Sequence, residues 1–158
     1  EHTHAMALVI DATLDIEASA ETVWEVITDF ARYGEWNPFI SACSTTLVPG
    51  EPIDLQVHLF GSGPRPQREW MLSHTPGREF SYRMKPAPAG ALRSRRWHRL
   101  TPLDAGRCRY ESHFELAGWL SPLVRALLGA RLRKGFAGMT AGIHNRAEQL
   151  QRQRFAPS

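Results

Sequence analysis

One stretch near the C-terminus constrains the fold more than any other part of the chain. It begins at Ser121-Pro122 and runs to about Gln151 without another proline. Ser121 can cap the first free amides of a helix, and Pro122 suits the first helical position. At 1.5 Å per residue, such a helix is about 45 Å long. The sequence therefore predicts one long C-terminal helix.

This predicted helix carries a continuous apolar stripe. Its apolar residues recur almost always at steps of three or four, as on one face of a helix. They are Leu120, Val124, Leu128, Leu132, Phe136, Met139, Ile143, Ala147 and Leu150. Arginines and Lys134 interrupt the stretch too often for a membrane span. The helix must therefore lie against a large apolar surface that the rest of the chain supplies.

The composition is that of one ordinary globular domain. The chain has 158 residues, of which 42% are hydrophobic and 22% charged, enough for one substantial core. Its net charge of +3 comes from basic residues spread over the whole chain, which favours a solvated surface over nucleic-acid binding. Cys43 and Cys108 are far apart in sequence, and we interpret both as thiols in a reducing cytoplasm.

The sequence has no internal repeat, low-complexity run or linker that would divide it, which indicates a single unit. Residues 1–6 (EHTHAM) look like a cloning remnant, and no signal-peptide pattern is present. We expect one domain at residues 7–155, located in the cytoplasm, without integral membrane association, and a monomer or weak dimer.

The middle of the chain alternates with period two for some eighty residues, which is typical of strands. A first strand at Leu8 to Ile16 precedes a helix at 20–28 capped by Ser19 and a short turn at 30–36. The six later strands are separated by Gly- and Pro-rich turns. They are predicted at 39–47, 53–60, 67–74, 79–84, 92–101 and 107–116. Short turns between strands indicate an antiparallel meander, and the long helix would cover its apolar face.

Several motifs resemble a known superfamily. The opening IEASAETVWEV (16–26), with DFARY (29–33) and WNPF (36–39), resembles the START/Bet v 1-like (SRPBCC) superfamily, especially its bacterial polyketide cyclase/dehydrase branch. Further matching segments are LTPL (100–103), GWL (118–120) and FAGM (136–139). The resemblance implies an α+β helix-grip fold, in which a curved seven-stranded antiparallel sheet wraps round the C-terminal helix and leaves a cavity. Some relatives carry a Glu in the strand before that helix, where this chain has Phe114.

Inward-facing side chains of the sheet and helix would line this cavity. From strand alternation and the apolar stripe, the predicted ligand-binding residues are Trp36, Leu55, Val57, Leu59, Trp70, Leu72, Tyr82, Trp97, Tyr110, Leu132, Phe136, Met139 and Ile143. Trp36 and the loop at 85–90 (KPAPAG) are expected at the cavity mouth, where the loop could act as a mobile lid.

The strand at 92–101 is unusually basic for one with an inward face. If Leu92 and Leu100 point inward, Arg96 and His98 do as well; a bulge would turn in Arg95 and Trp97 instead. In either case the cavity would contain a cation; the alternative is an arginine ladder that faces water at the edge of the sheet. A buried Arg is costly unless it is paired, so it should meet a carboxylate of the protein or of a ligand.

Three hypotheses for function follow. The first is binding of a hydrophobic small molecule, such as a lipid, isoprenoid or polyketide, without a cofactor. The second, given by the resemblance, is an enzyme of the cyclase/dehydratase kind, with His98, Arg96 or Tyr110 as catalytic candidates. The third is a protein- or quinone-interaction module that uses the basic outer face of the last helix. The histidine spacing predicts no metal site, and no glycine-rich loop predicts a nucleotide site.

Overall fold

The structure, a computed structural model, describes residues 8–155. The predicted cloning remnant at residues 1–6 lies outside this range. The strands are β1 Leu8–Ile16, β2 Ile40–Thr45, β3 Pro52–Phe60, β4 Gly63–Thr75, β5 Glu79–Arg83, β6 Arg93–Asp104 and β7 Arg107–Ala117. The helices are α1 Ala20–Thr28 and α2 Ser121–Phe155, with short 3-10 helices at Phe30–Glu35 and Pro88–Gly90.

The seven strands form one antiparallel sheet. Their order is β1-β7-β6-β5-β4-β3-β2, so β2 to β7 are a meander and β1 adds to β7 at its far edge. The core lies between the inner face of this curved sheet and the two α-helices, and its buried residues include Ile16, Ile53, Phe80, Met139 and Ile143. The predicted α+β helix-grip fold is confirmed.

The segment between β1 and β2 is fixed by short polar contacts. Ser19 caps α1 by accepting a hydrogen bond from the Thr22 amide at 3.1 Å. After the 3-10 helix, the Asn37 side-chain oxygen accepts from the amides of Phe39 and Ile40 at 3.0 and 2.9 Å. This turn starts β2 and directs the buried Phe39 ring toward α2.

The predicted apolar stripe is the buried side of α2. Phe136, Met139, Ile143 and Ala147 are each at most 8% exposed. The helix extends four residues beyond the predicted Gln151, to Phe155. Ser121 does not cap it as predicted, because the amides of Leu123 and Val124 donate to the Leu120 carbonyl at 3.1 and 3.3 Å, and the Ser121 hydroxyl donates to the Gly118 carbonyl. No helix within residues 8–155 has both the length and the apolarity needed to cross a membrane.

Glycine allows α2 to approach β2 closely at one point. A Cβ added to Gly135 would overlap the ring of Phe39. Phe39 in turn packs edge-on against Phe136, with 4.9 Å between ring centroids. The absence of a side chain at 135 therefore sets the distance between the helix and the start of the sheet.

Candidate functional site

A cavity of about 410 Å³ lies between the inner face of the sheet and the first half of α2. This volume is in the range of about 300–1,000 Å³ typical of small-molecule pockets. Most of its lining is apolar: Phe39, Ile40, Leu55, Val57, Leu59, Phe60, Pro66, Met84, Leu92, Phe114, Leu116, Val124, Leu128, Leu132, Phe136 and Met139. The polar lining consists of Arg65, Gln67, Glu69, Tyr82, Ser94 and Arg96.

The tip of the β3–β4 hairpin forms the entrance to the cavity. The lining residues that are exposed to solvent, Phe60, Arg65, Pro66 and Gln67, all lie there. The guanidinium of Arg131 on α2 lies over the Phe60 ring, 5.6 Å from its centroid, and donates to the Leu59 carbonyl at 3.2 Å. One arginine thus joins the helix to the hairpin at the entrance.

The inward face of β6 follows the first of the two predicted alternatives. Its pairing with β7 is continuous from Arg93 to Pro102, so no bulge occurs there. Arg96 and His98 are therefore buried on the inner side, and Arg95 is exposed.

Arg96 is a buried cation, and no carboxylate of residues 8–155 forms an ion pair with it. Its side chain is only 2% exposed and lines the cavity. Nη1 donates to the Ser112 hydroxyl, and Nη2 lies 3.5 Å from the Met139 sulfur. The guanidinium carbon is 4.8 Å from the centroid of the Phe136 ring. Nε has no hydrogen-bond partner, and no carboxylate within residues 8–155 comes within 4 Å of the guanidinium nitrogens.

His98 and Tyr110 lie behind this cation rather than on the cavity surface. They are 1% and 0% exposed, and the His98 Nδ1 is 2.6 Å from the Tyr110 hydroxyl. Burial, and then the charge of Arg96, hold the pKa of His98 well below its usual value. Burial likewise raises the pKa of Tyr110. Of the three catalytic candidates, Arg96 alone reaches the cavity.

The predicted inward face of β4 is wrong by one residue. Neither Trp70 nor Leu72 lines the cavity. Trp70 is paired with Pro52 of β3 and with Arg83 of β5. Leu72 lies at an irregularity in the β4–β5 pairing. Shifting the register by one residue turns every side chain to the other face. The inward positions belong instead to Gln67, Glu69 and Met71.

Glu69 is a cavity residue that the sequence analysis missed. Its carboxylate accepts from the side-chain Nε2 of Gln67 at 3.1 Å. Burial raises the pKa of Glu69, against the effects of that hydrogen bond and of the charge of Arg96. A signal for its orientation was present in the sequence. Asp54 alternates with the inward Ile53 and Leu55, and Arg68 pairs with Asp54 at 2.7 Å on the outer face, which turns Glu69 inward.

The placement of Trp97 in the cavity is also wrong. Because β6 has no bulge at this point, Trp97 lies on the outer face of the sheet. Its ring stacks on His113 at 5.0 Å between centroids, and the guanidinium of Arg99 lies 4.2 Å from its centroid. These contacts, rather than a ligand, cover the indole.

Three further predicted residues belong to the core instead of the cavity lining. Ile143 is fully buried, and Tyr110 is held by His98. Trp36 packs against Gly142 of α2 and against Tyr33, 5.0 Å between centroids, because the turn at Asn37 directs Phe39 to the cavity in its place. By contrast, the cavity lining includes Leu55, Val57, Leu59, Tyr82, Leu132, Phe136 and Met139.

The loop at 85–90 does not line the cavity and is tied to the β7–α2 junction. The Trp119 indole Nε1 donates to the Ala89 carbonyl at 3.0 Å, and the Trp119 amide donates to the Gly90 carbonyl at 3.3 Å. Gly118, at φ +111°, lies so close to Ala91 that a Cβ would overlap its carbonyl. These contacts do not fit the predicted mobile lid.

Phe114 occupies the position where some relatives carry a Glu. Its ring lines the cavity and stacks on Phe136, with 4.8 Å between centroids. Within residues 8–155, no three His, Cys, Asp or Glu side chains are grouped so that they could hold a metal ion.

Solved structures of low sequence identity share this fold. An aromatase/cyclase, Zhui from Streptomyces sp. R1128, is 20% identical with a TM-score of 0.73, and the match covers 96% of this chain and 98% of that one. A START superfamily protein from Mycobacterium smegmatis is 18% identical, with a TM-score of 0.66 and coverage of 90% and 98%. A norcoclaurine synthase from Thalictrum flavum is 15% identical, with a TM-score of 0.68 and coverage of 95% and 99%.

A comparison with curated proteins found no significant match. The family described as polyketide cyclase / dehydrase and lipid transport matches residues 7–148, almost the whole chain. The chain therefore belongs to the family described as polyketide cyclase / dehydrase and lipid transport.

Proposed function

We propose that this protein binds a hydrophobic small molecule, such as a lipid, an isoprenoid or a polyketide-like compound, in the cavity under α2. The observation that carries the proposal is the 410 Å³ volume bounded mainly by apolar side chains, with an entrance at the β3–β4 hairpin. Transfer of apolar surface from water into such a cavity contributes about 25 cal/mol per Å². The family description, which includes lipid transport, agrees with this function.

The position of the titratable groups favours binding over acid–base catalysis by the predicted residues. A general acid or base must come within hydrogen-bond reach of the reacting group. His98 and Tyr110 are bonded to each other and do not line the cavity. Neither can reach a bound molecule without a change in the sheet.

A polyketide cyclase/dehydratase activity is a second candidate, and Glu69 is the observation that favours it. Glu69 and Arg96 both line the cavity, and burial raises the pKa of Glu69 toward that of a useful base. In this reaction, the Glu69 carboxylate would take a proton from carbon next to a ligand carbonyl. The electron pair of the broken C–H bond would form the C=C bond of the enolate, the π pair of the carbonyl would move to its oxygen, and Arg96 would stabilise the resulting anion.

Native mass spectrometry of the freshly purified protein tests the binding function. We expect a small molecule to travel with the wild type and to be released on denaturation. Leu132→Trp places an indole in the cavity and should abolish retention. Leu127→Trp is the matched control, because Leu127 lies on the same helix but is 68% exposed.

A neutral fluorescent probe, N-phenyl-1-naphthylamine, supplies a second readout that does not depend on the host. Wild type and Leu127→Trp should bind it, and Leu132→Trp should not. No retained molecule together with no probe binding would contradict the proposal. That result would favour the alternative of a protein- or quinone-interaction module, which a salt-sensitive pull-down would then examine.

A further inference from the structure

We propose that the natural occupant of the cavity carries an acidic or anionic oxygen, as a carboxylate, phenolate or enolate does, and that this oxygen pairs with Arg96. The inference rests on the proposed binding function and names the class of ligand for the same cavity. It excludes pure hydrocarbons, simple esters and other neutral molecules as preferred occupants.

The charge of Arg96 is buried, and the fold does not offset the full cost of burying it. A guanidinium remains protonated under all ordinary conditions, so it cannot escape burial by losing its proton. An unpaired buried ion costs several kcal/mol. Arg96 is 2% exposed, and the nearest groups that it contacts are the hydroxyl of Ser112, the sulfur of Met139 and the face of Phe136. All three are neutral, so they offset only part of the cost of burying the charge.

Hydrogen-bond donors without an acceptor remain on and around Arg96. Arg96 has five N–H groups, and its Nε has no partner in the structure. The Ser94 hydroxyl accepts from the Met84 amide at 3.0 Å, which leaves its own hydrogen to donate. Tyr82 is the register partner of Arg96 across β5 and β6, and its side chain brings a further hydroxyl group to the cavity lining. All three residues line the cavity, so its polar patch presents donors around one positive charge.

The cavity lining has two other charged groups, Glu69 and Arg65. Glu69 is a carboxylate in the cavity, yet it accepts from Gln67 and forms no ion pair with Arg96 within 4 Å. Arg65 is exposed at the entrance, where water screens its charge. It therefore discriminates less between an anionic and a neutral ligand. A ligand oxygen is therefore the group left to complete the surroundings of Arg96.

The remaining lining of the cavity determines what the rest of the ligand must be. The lining that remains is apolar, contributed by Leu55 and Val57 of β3 and by Leu128 and Leu132 of α2. A bound molecule must therefore combine one oxygen anion with a large apolar body. Aryl acids, fatty acids and enolised or phenolic polyketide fragments share this chemistry.

A matched pair of probes tests the inference. The dye 1-anilinonaphthalene-8-sulfonate and the neutral N-phenyl-1-naphthylamine differ only in the sulfonate, which stands in for the ligand anion. Both become fluorescent on transfer to an apolar site, so their Kd values can be measured by the same titration. We expect the anionic dye to bind wild type at least about tenfold more tightly, as a charge-assisted hydrogen bond predicts.

Substitutions at Arg96 should remove this preference and leave the cavity intact. In Arg96→Met, we expect the anionic dye to lose its advantage while the neutral dye binds as in wild type or better. Arg96→Gln serves the same purpose if the Met variant does not fold. Arg65→Met, at the other cavity arginine, should keep the preference, and Leu132→Trp should abolish binding of both dyes.

Each outcome has a distinct meaning. Equal binding of the two dyes by wild type would overturn the anion inference and leave the proposed function standing. A preference that survives in Arg96→Met but disappears in Arg65→Met would also overturn it, because the anion would then be held at the entrance. Failure of both dyes to bind wild type would count against the proposed function itself.

Discussion

The guanidinium of Arg96 lies over the ring of Phe136, with 4.8 Å between its carbon and the ring centroid. One partner comes from the centre of the sheet and the other from the middle of α2. Cation–π contacts of this kind contribute about 0.5–2 kcal/mol. That is less than the several kcal/mol that burial of an unpaired ion costs. The ligand-free protein therefore holds a residue that lowers its own stability.

Arg96→Met should accordingly stabilise the ligand-free protein. We expect the free energy of unfolding to rise by about 1 kcal/mol or more, because an apolar side chain of similar length replaces an uncompensated charge. Urea denaturation measures the change. Arg95→Met is the control, since the neighbouring Arg95 is exposed and its substitution should alter stability by less than about 0.5 kcal/mol. Marked destabilisation by Arg96→Met would mean that the charge has a partner that stabilises the fold.

Gly135→Ala should destabilise the protein, although alanine is a better helix former than glycine. The added Cβ would overlap the Phe39 ring, and overpacking of a core costs about 1–3 kcal/mol. Gly129→Ala on the same helix is the matched control. A Cβ there meets Arg125 and Leu8 at ordinary contact distances of 3.6 and 4.0 Å, so it should stabilise by up to about 1 kcal/mol. Thermal unfolding of both variants measures the contrast, and two changes of the same sign would contradict it.

The fold could be predicted from the sequence because its signals are local and repeated. The apolar stripe of α2, the cap at Ser19 and the alternation in β7 each fix one element without reference to the others. The helix-grip arrangement then follows, since the inner face of the sheet and the stripe of α2 must cover each other.

The site was harder to predict because it depends on register and on turns. In β4, the large apolar Trp70 and Leu72 suggested the inward face, but the pairing of Arg68 with Asp54 turns Gln67 and Glu69 inward. Likewise, Trp97 has enough outer-face contacts to be covered without a cavity. Hydrophobicity is thus a poor guide to the inward face of β4, the bulge that would turn Trp97 inward is absent, and partners from a neighbouring strand fix both orientations.

Stability should fall in mild acid because of His98. Burial holds the pKa of the native His98 well below 6.5, whereas the unfolded chain takes up a proton on this residue below about pH 6.5. The unfolded state then binds more protons, so the free energy of unfolding decreases as the pH falls. The contribution of His98 is complete above pH 6.5 and declines by up to about 1.4 kcal/mol per pH unit below it.

Urea denaturation at several pH values between about 7.5 and about 5 measures this slope. The range spans the ordinary pKa of histidine, about 6.5, as the linkage requires. His98→Asn removes the titrating group and keeps a polar atom near the Tyr110 hydroxyl. We expect the variant to lose stability less steeply than wild type below pH 6.5, whatever its stability at neutral pH. Parallel curves for the two proteins would show that His98 does not titrate on unfolding.

The two thiols should be nearly inert in the native protein. Burial raises the pKa of Cys43 to about 12 and that of Cys108 to about 11. Because the thiolate is the reactive form, these shifts lower the reaction rate about 1,000-fold for Cys43 and about 100-fold for Cys108. A disulfide reagent at pH 8, applied to native and to urea-unfolded protein, measures the two rates. Rapid native labelling would show that β2, which carries Cys43, opens locally.

The hydrogen bond from Arg131 to the Leu59 carbonyl has a kinetic consequence for any molecule inside the cavity. The loop at 85–90 is fastened to the β7–α2 junction, so we expect ligand exchange to involve the contact between α2 and the β3–β4 hairpin. The dissociation rate is then set by the opening of the protein as well as by affinity. A ligand of modest affinity can accordingly have a long residence time, and its exchange can be accelerated by another surface that binds the hairpin.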